Sequence, residues 1–168
     1  TKIFLEDLSR FYPDFKHIIG GPEVAAYMKN ADELISKEYI DAICLGEGEI
    51  SLVEYYRAIE EDKGSPVPNI IYKRDGAVIR EGSPATIKKL DHLPFPDFSD
   101  FNLKHYSNSK VLPSYATRGC VNKCIYCSSR NYMSPFRFRS GTRMFEEVKY
   151  LKGLYPEVNY IRMADDIS

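Results

Sequence analysis

Three of the chain's four cysteines fall in one short stretch, Arg118-Gly119-Cys120-Val121-Asn122-Lys123-Cys124-Ile125-Tyr126-Cys127, with three residues between the first two and two between the second and third. Thiolates at this spacing on a loop converge on one soft metal centre, because a short turn brings their sulfurs together. Zinc and ordinary ferredoxin clusters take four protein ligands, and only Cys44, far off in sequence, is left to supply one. Three thiolates holding a [4Fe–4S] cluster leave one iron open to a ligand from outside the protein. A structural zinc site completed by a histidine or by Cys44 is the alternative, although His92 and His105 precede the loop at no finger spacing. A disulfide has less behind it, since nothing else in the sequence suggests a secreted chain.

The elements that must position this loop are strands alternating with helices. Phe4, Leu5, Leu8 and Phe11 recur at helical spacing, and Pro13 stops that helix. Lys16 to Ile19 reads as a short buried strand ending in Gly20-Gly21-Pro22-Glu23. Asn30 with Glu33 marks a helix start, and Leu34 and Ile35 give it an apolar face. Asp41 to Leu45 is a second strand, followed by Gly46-Glu47-Gly48-Glu49 and a helix with Leu52, Val53, Tyr56 and Ile59 on one face. Strands alternating with helices and ending in glycine turns imply an open α/β sheet whose ligand side lies at those turns.

Further along, Ile70-Ile71-Tyr72 and Ala77-Val78-Ile79 flank Asp75-Gly76, a hairpin signal because a type I′ turn needs positive φ at both central residues. Leu90-Asp91-His92-Leu93-Pro94-Phe95-Pro96-Asp97 predicts an extended linker, its prolines biasing their predecessors away from helix. Phe95, Phe98 and Phe101 are expected to anchor it against a neighbouring domain. Val111 to Thr117 then forms a strand with the cysteine loop at its carboxyl end, where a parallel barrel places its chemistry. Thr142 is expected to cap a helix with Met144, Val148, Leu151 and Tyr155 as its apolar face, stopped by Pro156. Val158 to Met163 is the next strand, ending in Ala164-Asp165-Asp166.

The cysteine spacing, with aromatic Tyr126 before the last cysteine, resembles the cluster loop of the radical S-adenosylmethionine enzymes. That resemblance implies that Cys120, Cys124 and Cys127 hold the cluster, that S-adenosylmethionine binds the open iron through its amino and carboxylate groups, and that Tyr126 lies near the adenine. One-electron reduction of the sulfonium then releases a 5′-deoxyadenosyl radical, which implies an external electron donor. In the family, residues just after the second strand contact the amino group of the cofactor. Asp165 or Asp166 fits that role as a carboxylate, and either fits equally as the cap of a following helix.

The first part resembles the later half of a Rossmann-like cobalamin-binding domain that precedes many such enzymes, on Gly20-Gly21-Pro22, Val24 and the run from Asp41 to Gly46-Glu47-Gly48-Glu49. There the glycine pair of Gly20 and Gly21 would let backbone approach the cofactor. The run Gly46, Glu47, Gly48, Glu49 recurs where that domain hands over to the barrel. Both also read as plain strand-to-helix turns. The family's cobalt-ligating Asp-x-His-x-x-Gly motif is missing from this sequence, and His17 sits at the entry of a later strand. Either the motif lies upstream, or the domain works without that ligand, or cobalamin has been lost.

The expected fold is therefore α/β: residues 1–63 as the rear half of a cobalamin-binding-like parallel sheet, 64–112 as a connector with hairpin and proline linker, and 113–168 as the first strand-helix-strand unit of a radical S-adenosylmethionine (β/α) partial barrel. The chain opens at Thr1 without methionine and reads as a piece of a longer protein, inactive by itself. Two rival readings are a radical methylthiotransferase acting on tRNA or protein, and a non-catalytic zinc or cobalamin-binding module.

Composition narrows the partners. Hydrophobic residues at 43% suffice for a core, and a formal charge of −1 gives no overall case for nucleic acid or an anionic membrane. No apolar run approaches a membrane span, and unpaired metal-type cysteines point to a reducing cytoplasm. One basic stretch stands out: Arg130, Arg137, Arg139 and Arg143 interleave with Tyr132, Phe136, Phe138 and Phe145 without an acid between Ser128 and Phe145. Such a stretch can hold RNA, grip an anionic small substrate, pair with Asp165 and Asp166, or serve the fold. The substrate, small or macromolecular, lies beyond the sequence.

Overall fold

The computed structural model describes residues 2–21, 24, 31–61, 65–80, 85–122, 124–127 and 135–165. The chain divides into two compact units, Thr1–Ile87 and Lys88–Ser168. Expectations placed on Pro22, Asn30, Arg130, Tyr132 and Asp166 lie outside the described residues.

The first unit begins with helix α1, Lys2–Phe11. Its sheet contains β1 (Ile18–Ile19), β2 (Ala42–Cys44), β3 (Ile70–Arg74) and β4 (Ala77–Ile79) in that order. Only the β1–β2 pair is parallel; β3 runs antiparallel to both β2 and β4. The hairpin is thus part of this sheet. Its turn has Asp75 at φ 48° and Gly76 at φ 76°, the two positive values that the Asp-Gly pair implied.

The alternation of strand side chains explains why β2 is buried along its whole length. Ala42 and Cys44 join Tyr55, Ala58, Val67, Ile70 and Tyr72 in one cluster, while Ile43 and Ile71 join Ala31, Ile35 and Ile40 in another. Helix α2 (Ala31–Ile35) contributes to the second cluster and helix α3 (Gly48–Glu60) to the first. A strand buried on both sides carries no polar alternation.

Helix α3 turns a different face inward from the one the periodicity suggested. Ser51, Tyr55 and Ala58 are buried, whereas Leu52, Val53, Tyr56 and Ile59 are exposed. The buried residues also recur at helical spacing, and the tyrosine fills the volume that the small pair leaves. Tyr55 meets the Tyr72 ring edge-on at 5.2 Å, and the Tyr72 hydroxyl donates to the Ser65 carbonyl at 2.8 Å. The first strand is likewise shorter and more open than expected: Ile18 is exposed on this sheet edge.

The second unit is built on β5 (Val111–Ser114), helix α4 (Gly141–Leu154) and β8 (Tyr160–Met163), with β5 and β8 paired in parallel. Leu112, Leu151 and Val158 form its core, with Phe98, Leu103, Tyr155 and Ile161 packed around them. Ser140, not Thr142, caps α4, its side chain accepting from Arg143 N. The strand expected over Val111 to Thr117 breaks at Tyr115 and Ala116, and Thr117–Arg118 forms a separate strand, β6, antiparallel to β7 (Arg137–Phe138).

The proline-rich segment belongs to this unit. Leu90–His92 is one 3-10 turn and Leu90 is buried. The Asp91 carboxylate accepts from Ser140 N at 2.8 Å, and the Arg143 guanidinium lies 3.7 Å from the centre of the Phe95 ring. Phe98 N donates to the Tyr155 hydroxyl at 3.1 Å. Of the aromatic anchors expected to face another domain, Phe95 therefore packs on Tyr150 of α4 and Phe98 on Tyr155 just after it, while Phe101 is exposed beside Phe98 and Tyr106.

Candidate metal and cofactor site

The cysteine loop leaves the carboxyl end of the β5 and β8 pair and is closed at its base by β6 and β7. Thr117 registers with Phe138 and Arg118 with Arg137. Gly119, at φ 83°, takes the chain from β6 into Cys120, a left-handed conformation that a side chain would oppose. Within the loop, Cys127 N donates to the Cys124 carbonyl at 3.1 Å, so a turn separates the last two thiols. Asn122 N donates to Cys120 Sγ at 3.3 Å.

All three cysteines are unbridged and partly exposed, and Tyr126 beside them is exposed. Three accessible thiols on one turn-forming loop, one already receiving a backbone N–H, fit the donor chemistry of a thiolate-bound iron–sulfur cluster. Among the described residues no group of three or more His, Cys, Asp or Glu side chains is already gathered for a metal ion.

Asp165 lies at the end of β8 and accepts twice from Thr117, at 2.6 Å from N and 2.9 Å from Oγ1. Sequence reasoning had offered it a cofactor or a helix end and missed Thr117.

It also missed a buried polar network beneath the loop. Glu147, on α4 and 1% exposed, accepts from Ser114 Oγ and forms an ion pair with Arg139. Arg139 in turn donates through Nη1 to the Tyr115 carbonyl at 3.1 Å and through its backbone N to the Ala116 carbonyl at 2.8 Å. The break between β5 and β6 is thus filled by one arginine. The other described arginines of the basic stretch also make internal contacts: Arg137 is buried with Nε on the Pro135 carbonyl, and Arg143 reaches the Leu93 carbonyl at 2.6 Å.

In the first unit, the two glycine turns meet at the carboxyl ends of β1 and β2. Gly20, Gly21 and Gly46 are exposed there, and a side-chain carbon at Gly20 would stand 3.3 Å from Cys44 Cβ. Gly21 holds φ 92°. Burial pushes the Cys44 thiol pKa up, and its Sγ donates to the Gly46 carbonyl at 3.7 Å. Glu47 accepts from Ile87 N at 2.7 Å. Gly48 begins α3, while Glu49 is exposed in its first turn.

Asn69, itself at φ 57°, binds both backbone groups of Ala85: Nδ2 donates to the carbonyl at 2.7 Å and Oδ1 accepts from N at 3.1 Å. A Cβ at Gly46 would lie 3.1 Å from Asn69 Cγ, so this glycine makes room for the clamp. His17 is buried at the other end of β1, its Nδ1 3.2 Å from the Tyr39 carbonyl. Its Nε2 has no hydrogen-bond partner among the described residues.

The fold so assembled is a mixed α/β arrangement with parallel pairing in both units, and it resembles that of cobalamin-dependent radical S-adenosylmethionine enzymes. It superposes with a TM-score of 0.72 on the cobalamin-dependent S-adenosylmethionine radical enzyme OxsB with aqua-cobalamin and S-adenosylmethionine bound, at 20% identity, covering 99% of this chain and 24% of that one. A TM-score of 0.72 is also reached with the radical S-adenosylmethionine methyltransferase TsrM from Kitasatospora setae with cobalamin and a [4Fe–4S] cluster bound, at 18% identity over 97% of this chain and 33% of that one.

Among curated proteins, the chain is 26% identical over 164 residues to the anaerobic magnesium-protoporphyrin IX monomethyl ester cyclase of Rubrivivax gelatinosus, covering 92% of this chain and 29% of the cyclase. It is 25% identical over 188 residues to the cytidylyl-2-hydroxyethylphosphonate methyltransferase of Streptomyces wedmorensis, covering 92% of this chain and 34% of that enzyme. The chain thus spans about a third of the length of these relatives. No family model matches it.

Proposed function

We propose that this chain is part of a cobalamin-associated radical S-adenosylmethionine enzyme in which Cys120, Cys124 and Cys127 hold a [4Fe–4S] cluster. The observation that carries the reading is the loop of three unbridged thiols at the carboxyl end of a parallel strand-helix-strand unit. Similarity along nearly the whole chain to proteins of that kind supports it. A cluster held by these three residues would supply the electron for reductive cleavage of S-adenosylmethionine. The chain's own part is to present the thiols, with Asn122 N donating to Cys120 Sγ and Tyr126 flanking the adenine.

Cobalamin is assigned to the exposed backbone of Gly20, Gly21 and Gly46 at the strand ends, with Glu47, Gly48 and Glu49 completing the turn. Methyl transfer to a substrate carbon is the reaction we favour, drawing on the methyltransferases among the similar proteins. An external donor supplies electrons, in the cytoplasm. The test is anaerobic iron and sulfide reconstitution of the full-length protein, then electron paramagnetic resonance of the reduced cluster. A signal that changes on adding S-adenosylmethionine is expected; a colourless protein holding one zinc ion would sink the reading.

A further inference from the structure

We infer that Asp165 is a positioning residue, which through Thr117 fixes the base of the cysteine loop rather than contacting a cofactor. The β5–β8 ladder ends where Ser114 registers with Met163, and Ala164 N still reaches the Ser114 carbonyl at 2.9 Å. Beyond that point the two chains part, and the backbone crosses Tyr115 and Ala116 before β6 begins. Asp165 Oδ1 spans the gap, taking Thr117 N at 2.6 Å and Thr117 Oγ1 at 2.9 Å.

One carboxylate oxygen thus does for Thr117 what a strand neighbour did for Ser114, with the added strength of a charged acceptor. Arg139 secures the preceding carbonyls of Tyr115 and Ala116, and β7 secures Arg118. Thr117 is therefore the point at which Asp165, just after β8, sets the direction of the chain. Only Arg118 and Gly119 separate it from the first thiol. The threonine matters as a residue type, since its hydroxyl gives the carboxylate a second donor that valine, of the same shape, lacks.

The inference rests on the proposed cluster for its consequence but not for its geometry, so the test has two readouts in the full-length protein. The first is amide hydrogen exchange over residues 117–127 without iron. The second is the rate at which a chelator strips the reconstituted cluster, alongside S-adenosylmethionine affinity.

Asp165→Ala and Thr117→Val are each expected to speed exchange and cluster loss by about tenfold, the scale of one charge-assisted hydrogen bond. Thr117→Ser, which keeps the hydroxyl, is expected to stay near wild type, and affinity for S-adenosylmethionine to stay within about twofold throughout. Exchange unchanged in both disruptive variants would overturn the inference whatever the metal content. So would an Asp165→Ala protein that loses the cofactor tenfold or more while Thr117→Val behaves as wild type. Faster exchange in a protein that takes up no iron at all would uphold the pin and remove the cluster reading alone.

Discussion

Cys44 and the loop cysteines differ in surroundings, and that difference predicts their roles. Cys44 is buried in an apolar cluster with its thiol pKa pushed up, a setting that keeps sulfur protonated and inert. Cys120, Cys124 and Cys127 are partly exposed on a loop that offers a backbone N–H to sulfur. Alanine at any one of the three is expected to abolish stable cluster assembly, measured as iron and sulfide per chain, whereas Cys44→Ala is expected to retain both. Equal iron loss in the Cys44 variant would revive a site that draws on it. The buried ion pair gives a second prediction at this scale. Removing one member strands the other in the interior, so Glu147→Ala is expected to cost about 3 kcal/mol in denaturant unfolding. Replacing Glu147 and Arg139 together is expected to cost less than the sum of the single changes.

Among the elements, the turn before α4 couples stability to pH. Hydrogen bonds from the Ser140 hydroxyl and amide hold the Asp91 carboxyl below its ordinary value of 3.8 against a smaller opposing effect of burial. A depressed carboxyl stabilises the fold in its ionised form. Its contribution is complete above about pH 4 and is lost as pH falls through the depressed value. Asp91→Asn is therefore expected to flatten the acid limb of the stability curve of this unit, read by urea midpoints between pH 5 and pH 2.

The turn after β2 gives a steric counterpart. Because Asn69 is held by Ala85 and Ser51, it has little freedom to retreat from a methyl group 3.1 Å from its Cγ. Gly46→Ala is expected to destabilise by about 1–3 kcal/mol, the usual cost of overpacking, measured by thermal unfolding. What the sequence revealed of these elements was whatever depends on neighbours in the chain. The Asp75-Gly76 turn and the cysteine spacing needed no partner to be read. The inward face of α3 was misjudged because two stripes of that helix carry helical spacing, and contact with Tyr72 decides between them. Asp165 with Thr117, and Glu147 with Ser114, were invisible because each is a pairing across dozens of residues that periodicity does not encode.

At the scale of the whole molecule, the second unit contributes two parallel strands and one helix among its described residues, well short of the eight strands of a complete (β/α) barrel. The 168-residue polypeptide alone is expected to show no S-adenosylmethionine cleavage after anaerobic reconstitution, assayed as released 5′-deoxyadenosine; turnover by it would show that a closed barrel is dispensable. No described helix is long and apolar enough to cross a membrane.

One attachment within the first unit has a mechanical consequence. Residues 85–87 follow the hairpin, yet they are fastened to the carboxyl end of the sheet by the amide of Asn69 and the carboxylate of Glu47. A tension applied at Ile87 would fall in part on these two side chains. Its stiffness therefore depends on two codons, and a single substitution at either can loosen this tether while leaving the strand pairings of the sheet in place.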